Sequence, residues 1–263
     1  MSSSIGGMGF RRRRLLGRVA EVLRTRSTPS RADPRSTEHA GSGLDRLIPP
    51  EIADDPFART IEEIAATPGV REILEIGSSA GEGSTAAWVR GALRNPRRPR
   101  LHCIEVSTER YSELARRWGD QDFVLCHHLS SIPLERLASA TEVERFYRDV
   151  PSRLREFDLT TVLGWLEQDV GYLRDNGLSS PGIAQIKEQY GIELFDAVLI
   201  DGSEFAGRAE LEEVYGARFL LLDDTETFKN WHASRSLEAD PNYAVVRADR
   251  DVRNGFAIFE RIA

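Results

Sequence analysis

Three groups of residues in this 263-residue sequence have the types and spacing to do chemistry. The first is the bend Gly77-Ser-Ser-Ala-Gly-Glu-Gly83. Glycine has no Cβ, so Gly77 and Gly81 can take positive φ and let backbone amides close on a ligand. The second is Glu105, at the tip of the apolar run Leu101–Ile104. A carboxylate at such a strand end can accept hydrogen bonds from both hydroxyls of a ribose. The third group is acidic. Asp201 follows the apolar run Phe195–Ile200, and Asp223 and Asp224 follow Phe219–Leu222. Carboxylates that converge repel one another unless a cation or a proton intervenes. Hard oxygen ligands suit Mg²⁺ or Ca²⁺. The competing reading is that Asp223 or Asp224 caps the next helix.

The elements around these groups alternate. Glu72–Ile76 reads as a buried strand, and Thr85, Trp88, Val89 and Leu93 follow the bend at helical spacing. Phe123–His128 reads as a third strand, with Ser130 just beyond it where an adenine edge would lie. His127 and His128 are adjacent, so a strand sends them to opposite faces and they cannot easily share one ion. Residues 133–191 carry helical periodicity and a Thr141-x-x-Glu144 capping-box pattern, and read as a helical insertion before strand four. Tyr243–Val246 and Phe256–Phe259 are joined by a loop too short for a parallel crossover, so they pair antiparallel. The predicted fold is α/β: a doubly wound, Rossmann-like, seven-stranded sheet with an antiparallel last strand.

The dinucleotide fingerprint G-x-G-x-x-G is absent, because position 79 is Ser. Instead, Glu75-Ile-Gly77-Ser-Ser-Ala-Gly81 resembles the first motif, E-x-G-x-x-x-G, of class I S-adenosylmethionine (SAM) methyltransferases. The antiparallel last strand is a second point of resemblance. The resemblance implies that Glu75, Gly77, Ser78, Ser79 and Gly81 form the SAM loop, that Glu105 holds the ribose hydroxyls and that Ser130 approaches the adenine. It also implies that Asp201, Asp223 and Asp224 form a divalent-metal site like that of the catechol O-methyltransferase-like and cephalosporin hydroxylase-like members. The expected reaction is O-methylation of a small-molecule or sugar hydroxyl, with Asp201, Glu204 and His232 as the candidate catalytic residues. Glu204 stands where catechol-type members often carry a lysine base; Lys229 and His232 are candidate substitutes. An alternative is a non-catalytic SAM- or nucleotide-binding module that docks a partner through its helical insertion.

Composition bounds the rest. Hydrophobic residues make up 40% of the chain and charged residues 29%, as in a soluble globular protein. No apolar run has the length of a membrane span. The two cysteines, Cys103 and Cys126, sit in apolar strand-like runs and fit a reducing, cytoplasmic setting. Residues 1–46 hold ten arginines and four acids, and read as a basic, disordered tail and linker ahead of a domain over 47–263. The segment Leu44–Ile52 could serve as a lid or a plain connector. The Asn/Asp-Pro-Pro-aromatic motif of nucleic-acid amino-methyltransferases is missing, so nucleic acid is not an expected partner. An oligomer is compatible with the sequence, which does not fix the state.

Overall fold

The computed structural model describes residues 43–263; the arginine-rich segment before them lies outside the described residues. The seven strands are β1 (Glu72–Ile76), β2 (Arg100–Glu105), β3 (Val124–His128), β4 (Ala197–Ile200), β5 (Phe219–Asp223), β6 (Tyr243–Asp249) and β7 (Phe256–Arg261). They form one sheet in the order β3-β2-β1-β4-β5-β7-β6. Strands β1 to β5 are parallel, and β7 runs antiparallel to both its neighbours. The chain reverses direction across the sheet between β1 and β4, which opens a crevice at their carboxyl ends, the place where doubly wound sheets bind ligands.

Period-two alternation sorts the strand side chains onto two faces. Ile73, Leu101, Cys103, Leu199 and Leu221 face one layer, where α1 (Pro56–Ala66), α2 (Ser84–Arg94) and α3 (Thr108–Trp118) supply Phe57, Ile61, Trp88 and Leu114. Leu74, Ile76, Val198, Ile200 and Leu222 face the other. There α6 (Gly182–Tyr190), α7 (Gly207–Val214) and α8 (Phe228–Ala239) supply Ile183, Val214 and Leu237. Both faces are covered, which is why the central strands read as continuous apolar runs.

The helical segment expected before strand four is present as α4 (Ala140–Asp149) and α5 (Leu159–Asp175), followed by α6. Val143, Phe146, Val162 and Leu166 pack with Phe205 in a separate small core. The capping box of α4 differs from the expected one. Ser139 accepts the Glu142 N–H and the Glu142 carboxylate accepts the Ser139 N–H (2.8 Å), so Thr141 and Glu144 lie inside the helix instead. Ser139 comes shortly after the 3₁₀ turn Leu134–Arg136, and its side chain supplies the cap at which the helix starts. Gly43–Asp45, placed by sequence in the linker, forms a short 3₁₀ turn. Asp45 Oδ1 accepts from Ser107 Oγ (3.0 Å) and from the Tyr172 hydroxyl (2.6 Å).

Candidate functional site

A cavity of about 330 Å³ opens at the carboxyl ends of β1 to β5. Its floor is the bend after β1. Gly77 has φ +88° and Gly81 has φ +77°, both in the left-handed region that glycine tolerates. A side chain at Gly77 would collide with the backbone carbonyl of Asp201, so the bend can touch β4 only through glycine. The Gly77 and Ser78 N–H groups both donate to the Ile104 carbonyl (3.0 Å), and the Asp201 N–H donates to the Ile76 carbonyl (3.0 Å). The far end of the bend is held by α3: Trp118 Nε1 donates to the Gly81 carbonyl (2.6 Å) and Arg117 Nε to that of Ala80 (3.2 Å).

Glu105 ties this bend to β2. Its Oε2 accepts the Ser79 N–H (2.7 Å) and its Oε1 the Ser107 N–H (2.8 Å). Ser79 sits at φ +48°, an unusual conformation for a serine that this bond helps to fix. Burial pushes the Glu105 pKa up, against the pull of those backbone donors. Each oxygen keeps a second lone pair for a ligand. Ser78, only 2% exposed, lines the cavity. Ser130 also lines it, with its Oγ donating to the Ile132 carbonyl (2.7 Å). Glu75 does not. It lies fully buried behind the bend, accepting from Thr85 Oγ1 (2.6 Å), and ties α2 to β1.

The acids at β4 and β5 do converge: Asp201, Asp223 and Asp224 each offer an oxygen within 4.8 Å of the others. The cation that intervenes between them comes from the protein itself. Lys229 Nζ stands between two of them, donating to Asp201 Oδ1 (2.9 Å) and Asp224 Oδ2 (2.7 Å). Asn254 Nδ2 donates to the remaining Asp224 oxygen (3.0 Å). Arg253 donates to Asp223 Oδ1 (2.6 Å) and also pairs with Asp55. Burial pulls the Lys229 pKa down, but Asp201, Asp224 and Glu204 outweigh it and hold it well above its ordinary value. The group is therefore an ammonium donor and not a base. Burial raises the Asp201 pKa against the attraction of Lys229, while for Asp224 the ammonium wins and the pKa falls. Neither Asp223 nor Asp224 caps α8. Thr227 stands at its start, and the Glu204 carboxylate accepts from Thr227 Oγ1 and from the Lys229 N–H (both 3.2 Å).

The structure brings together Gly77, Ser78, Ser79, Glu105, Ser130, Asp201 and Asp224 around one cavity. Glu204 and His232 do not line it. Glu204 is spent on the start of α8, and His232 is exposed on the outer side of that helix against Phe146. The residues that sequence reasoning did not place are Lys229 and Arg253, with Asp169, Tyr172 and Ser203 on the cavity wall. Ser203 Oγ donates to Asp169 Oδ2 (2.5 Å), linking the insertion to β4. The segment Ile48–Ile52 also lines the cavity. Among the described residues no helix is long and apolar enough to cross a membrane, and both cysteines are free thiols.

No protein-family profile matches the chain, and no curated protein matches it. Solved structures do. A methyltransferase from Geobacter sulfurreducens is 15% identical over 94% of this chain and 97% of its own, with a TM-score of 0.47. An O-methyltransferase from Bacillus cereus in complex with S-adenosylhomocysteine (SAH) is 14% identical over 81% and 84%, with a TM-score of 0.46. A SAH-bound methyltransferase from Podospora anserina is 12% identical over 98% and 100%, with a TM-score of 0.48. The fold itself is read from the sheet: seven strands, Rossmann-like, with an antiparallel last strand.

Proposed function

We propose that this chain is a SAM-dependent methyltransferase that acts on a hydroxyl of a small molecule or sugar. The observation that carries the reading is the cavity's two ends: the glycine bend with Glu105 at one, and Asp201 with Lys229 and Asp224 at the other. The residues present fit the cofactor. Gly77 and Gly81 let the bend fold tightly against β4 and α3, the Ser78 and Ser79 segment lines the cavity, and Glu105 has lone pairs for the ribose. SAM supplies a methyl group already activated by its sulfonium. The protein's share is to align an oxygen with it and to keep water out. Asp201 is the residue to accept the hydroxyl proton, since only its Oδ1 is engaged by Lys229 and burial raises its pKa toward the working range. Ile48–Ile52 and Tyr172 line the same cavity and are the segments to shield a bound ligand from water.

Calorimetry with SAM and SAH, followed by an assay of SAH release over a panel of small-molecule and sugar hydroxyls, tests the reading. The expected result is binding of both ligands and turnover on members of the panel. No binding of either ligand would overturn it. Binding without turnover on any hydroxyl or amine would leave the chain a nucleotide-binding module.

A further inference from the structure

The fold suggests a divalent ion at the tips of β4 and β5, and the side chains there do not fit one. A metal bound by Asp201 and Asp224 has to sit between their oxygens. That place is taken by Lys229 Nζ, at 2.9 and 2.7 Å from the two carboxylates. Two further oxygens are engaged as well: Asn254 takes the second oxygen of Asp224, and Arg253 takes one oxygen of Asp223.

Lys229 is not a surface side chain that has fallen inward. It is 8% exposed, and its position is fixed from several directions. Its backbone N–H is held by Glu204 (3.2 Å). The next residue, Asn230, donates to the Ile200 carbonyl (3.0 Å) and the Asp223 carbonyl (2.6 Å), pinning the start of α8 to the ends of both strands. Gly207 of α7 presses against the Lys229 carbonyl so closely that a Cβ there would collide with it. Moving the ammonium aside for a metal would leave a buried, unpaired charge or unseat the helix, and breaking a buried pair in this way is strongly destabilising.

We propose that Lys229 is the site's resident cation, standing where related folds would bind a divalent ion, and that it positions the acceptor oxygen of the substrate. This rests on the methyltransferase reading above only for its second half. An ammonium has three N–H donors, and two are committed to Asp201 and Asp224. The third is available to an oxygen in the cavity that Lys229 lines, beside the proton acceptor Asp201. A point charge with one free donor asks for a single hydroxyl. A metal with open positions would favour two adjacent ones. The substrate class this implies is a mono-hydroxyl acceptor or an isolated sugar hydroxyl, with no requirement for a chelating diol.

Mn²⁺ is the probe. Its binding is followed by electron paramagnetic resonance on the full chain, with SAH affinity measured on the same samples. The wild-type protein is expected to show no saturable Mn²⁺ binding up to about 1 mM, the weak end of carboxylate sites. Lys229→Met vacates the place between the carboxylates and is expected to gain saturable binding at least about tenfold tighter, a change of about 1.4 kcal/mol. Wild-type Mn²⁺ binding that Asp201→Asn abolishes would overturn the proposal, and so would a folded Lys229→Met that gains none. If Lys229→Met does not fold, the wild type and Asp201→Asn decide: absence of binding supports the proposal, and Asp201-dependent binding overturns it. For the positioning role, Lys229→Arg is the conservative variant. It should restore turnover lost in Lys229→Met mainly through KM, and failure to do so would overturn that role. Loss of SAH binding by the wild type would instead sink the methyltransferase reading and leave the ion result standing.

Discussion

The two ends of the cavity are built from different materials. At the β1–β2 end the ligand-facing surface is backbone, shaped by Gly77 and Gly81 and fixed by hydrogen bonds from N–H groups to Ile104 and Glu105. At the β4–β5 end it is charge: Asp201, Asp223 and Asp224 balanced against Lys229 and Arg253. A surface of backbone amides is rigid, nearly neutral and sensitive to volume. A surface of buried ion pairs is sensitive to which charges are present, because removing one partner strands the other. Substitutions that add volume should therefore damage the first end, and substitutions that change charge should damage the second.

The largest effect is expected at Gly77. Any side chain there meets the Asp201 carbonyl, and φ +88° is strained for an L-residue besides. Gly77→Val should cost several kcal/mol, on the order of the larger core and backbone substitutions, and abolish SAH binding. Thermal unfolding of the purified variant checks it. A melting temperature within a degree or two of wild type would show that the bend and β4 are not locked together.

Next comes Glu105, the point where the backbone-built end depends on one charged side chain. Glu105→Ala removes the acceptor of the Ser79 and Ser107 N–H groups and, on the function proposed above, of the ribose hydroxyls. Hydrogen bonds to a charged group contribute about 1.5–3 kcal/mol, so SAH affinity should fall about 10- to 100-fold. His232→Ala, on the exposed side of α8, should leave that affinity unchanged. Calorimetry on the pair sharpens the contrast; equal losses would mean that the ligand does not lie over β2.

The same division explains what the sequence disclosed. The bend, the alternating faces and Glu105 are set by residues within a few positions of one another or by strand periodicity, and both signals survive in a linear string. The antiparallel β6–β7 pair was readable because its connection is short. The acids at β4 and β5 were also visible as strand-end residues, and they do meet. Their countercharges were not visible. Arg253 reaches Asp223 from 30 positions away, and Lys229, although only five residues after Asp224, also reaches Asp201 from 28, so its bridging place between two strand ends is not legible in the linear string. The cation that converging carboxylates require is supplied by these side chains. Glu204 was misplaced for a related reason: its offset from Asp201 suggested a catalytic neighbour, while in space it caps the helix that delivers Lys229.

The smallest effect, and a test of the charge-built end alone, is the pH dependence contributed by Glu204. Burial raises its pKa to about 7, against the pull of Lys229. The sign follows from proton counting. Between the ordinary carboxylate value of 4.5 and about 7, the folded protein holds a proton at Glu204 that the unfolded chain releases. Stability from this group is therefore complete below pH 4.5 and is lost as pH rises through about 7. The side chain is only half-buried, so the full shift overstates the energy, and a contribution of about 1–2 kcal/mol is expected. His127, whose pKa burial lowers to about 4, acts in the opposite sense as pH falls, and it masks the trend in the wild type alone. Glu204→Gln isolates it, because His127 is common to both proteins. Melting temperatures of the two measured between pH 5 and 8 should converge on one side and separate on the other, the wild type losing ground as pH rises. Parallel profiles would mean that Glu204 is ionised throughout and belongs with Asp224, stabilised by Lys229 and not strained beside it.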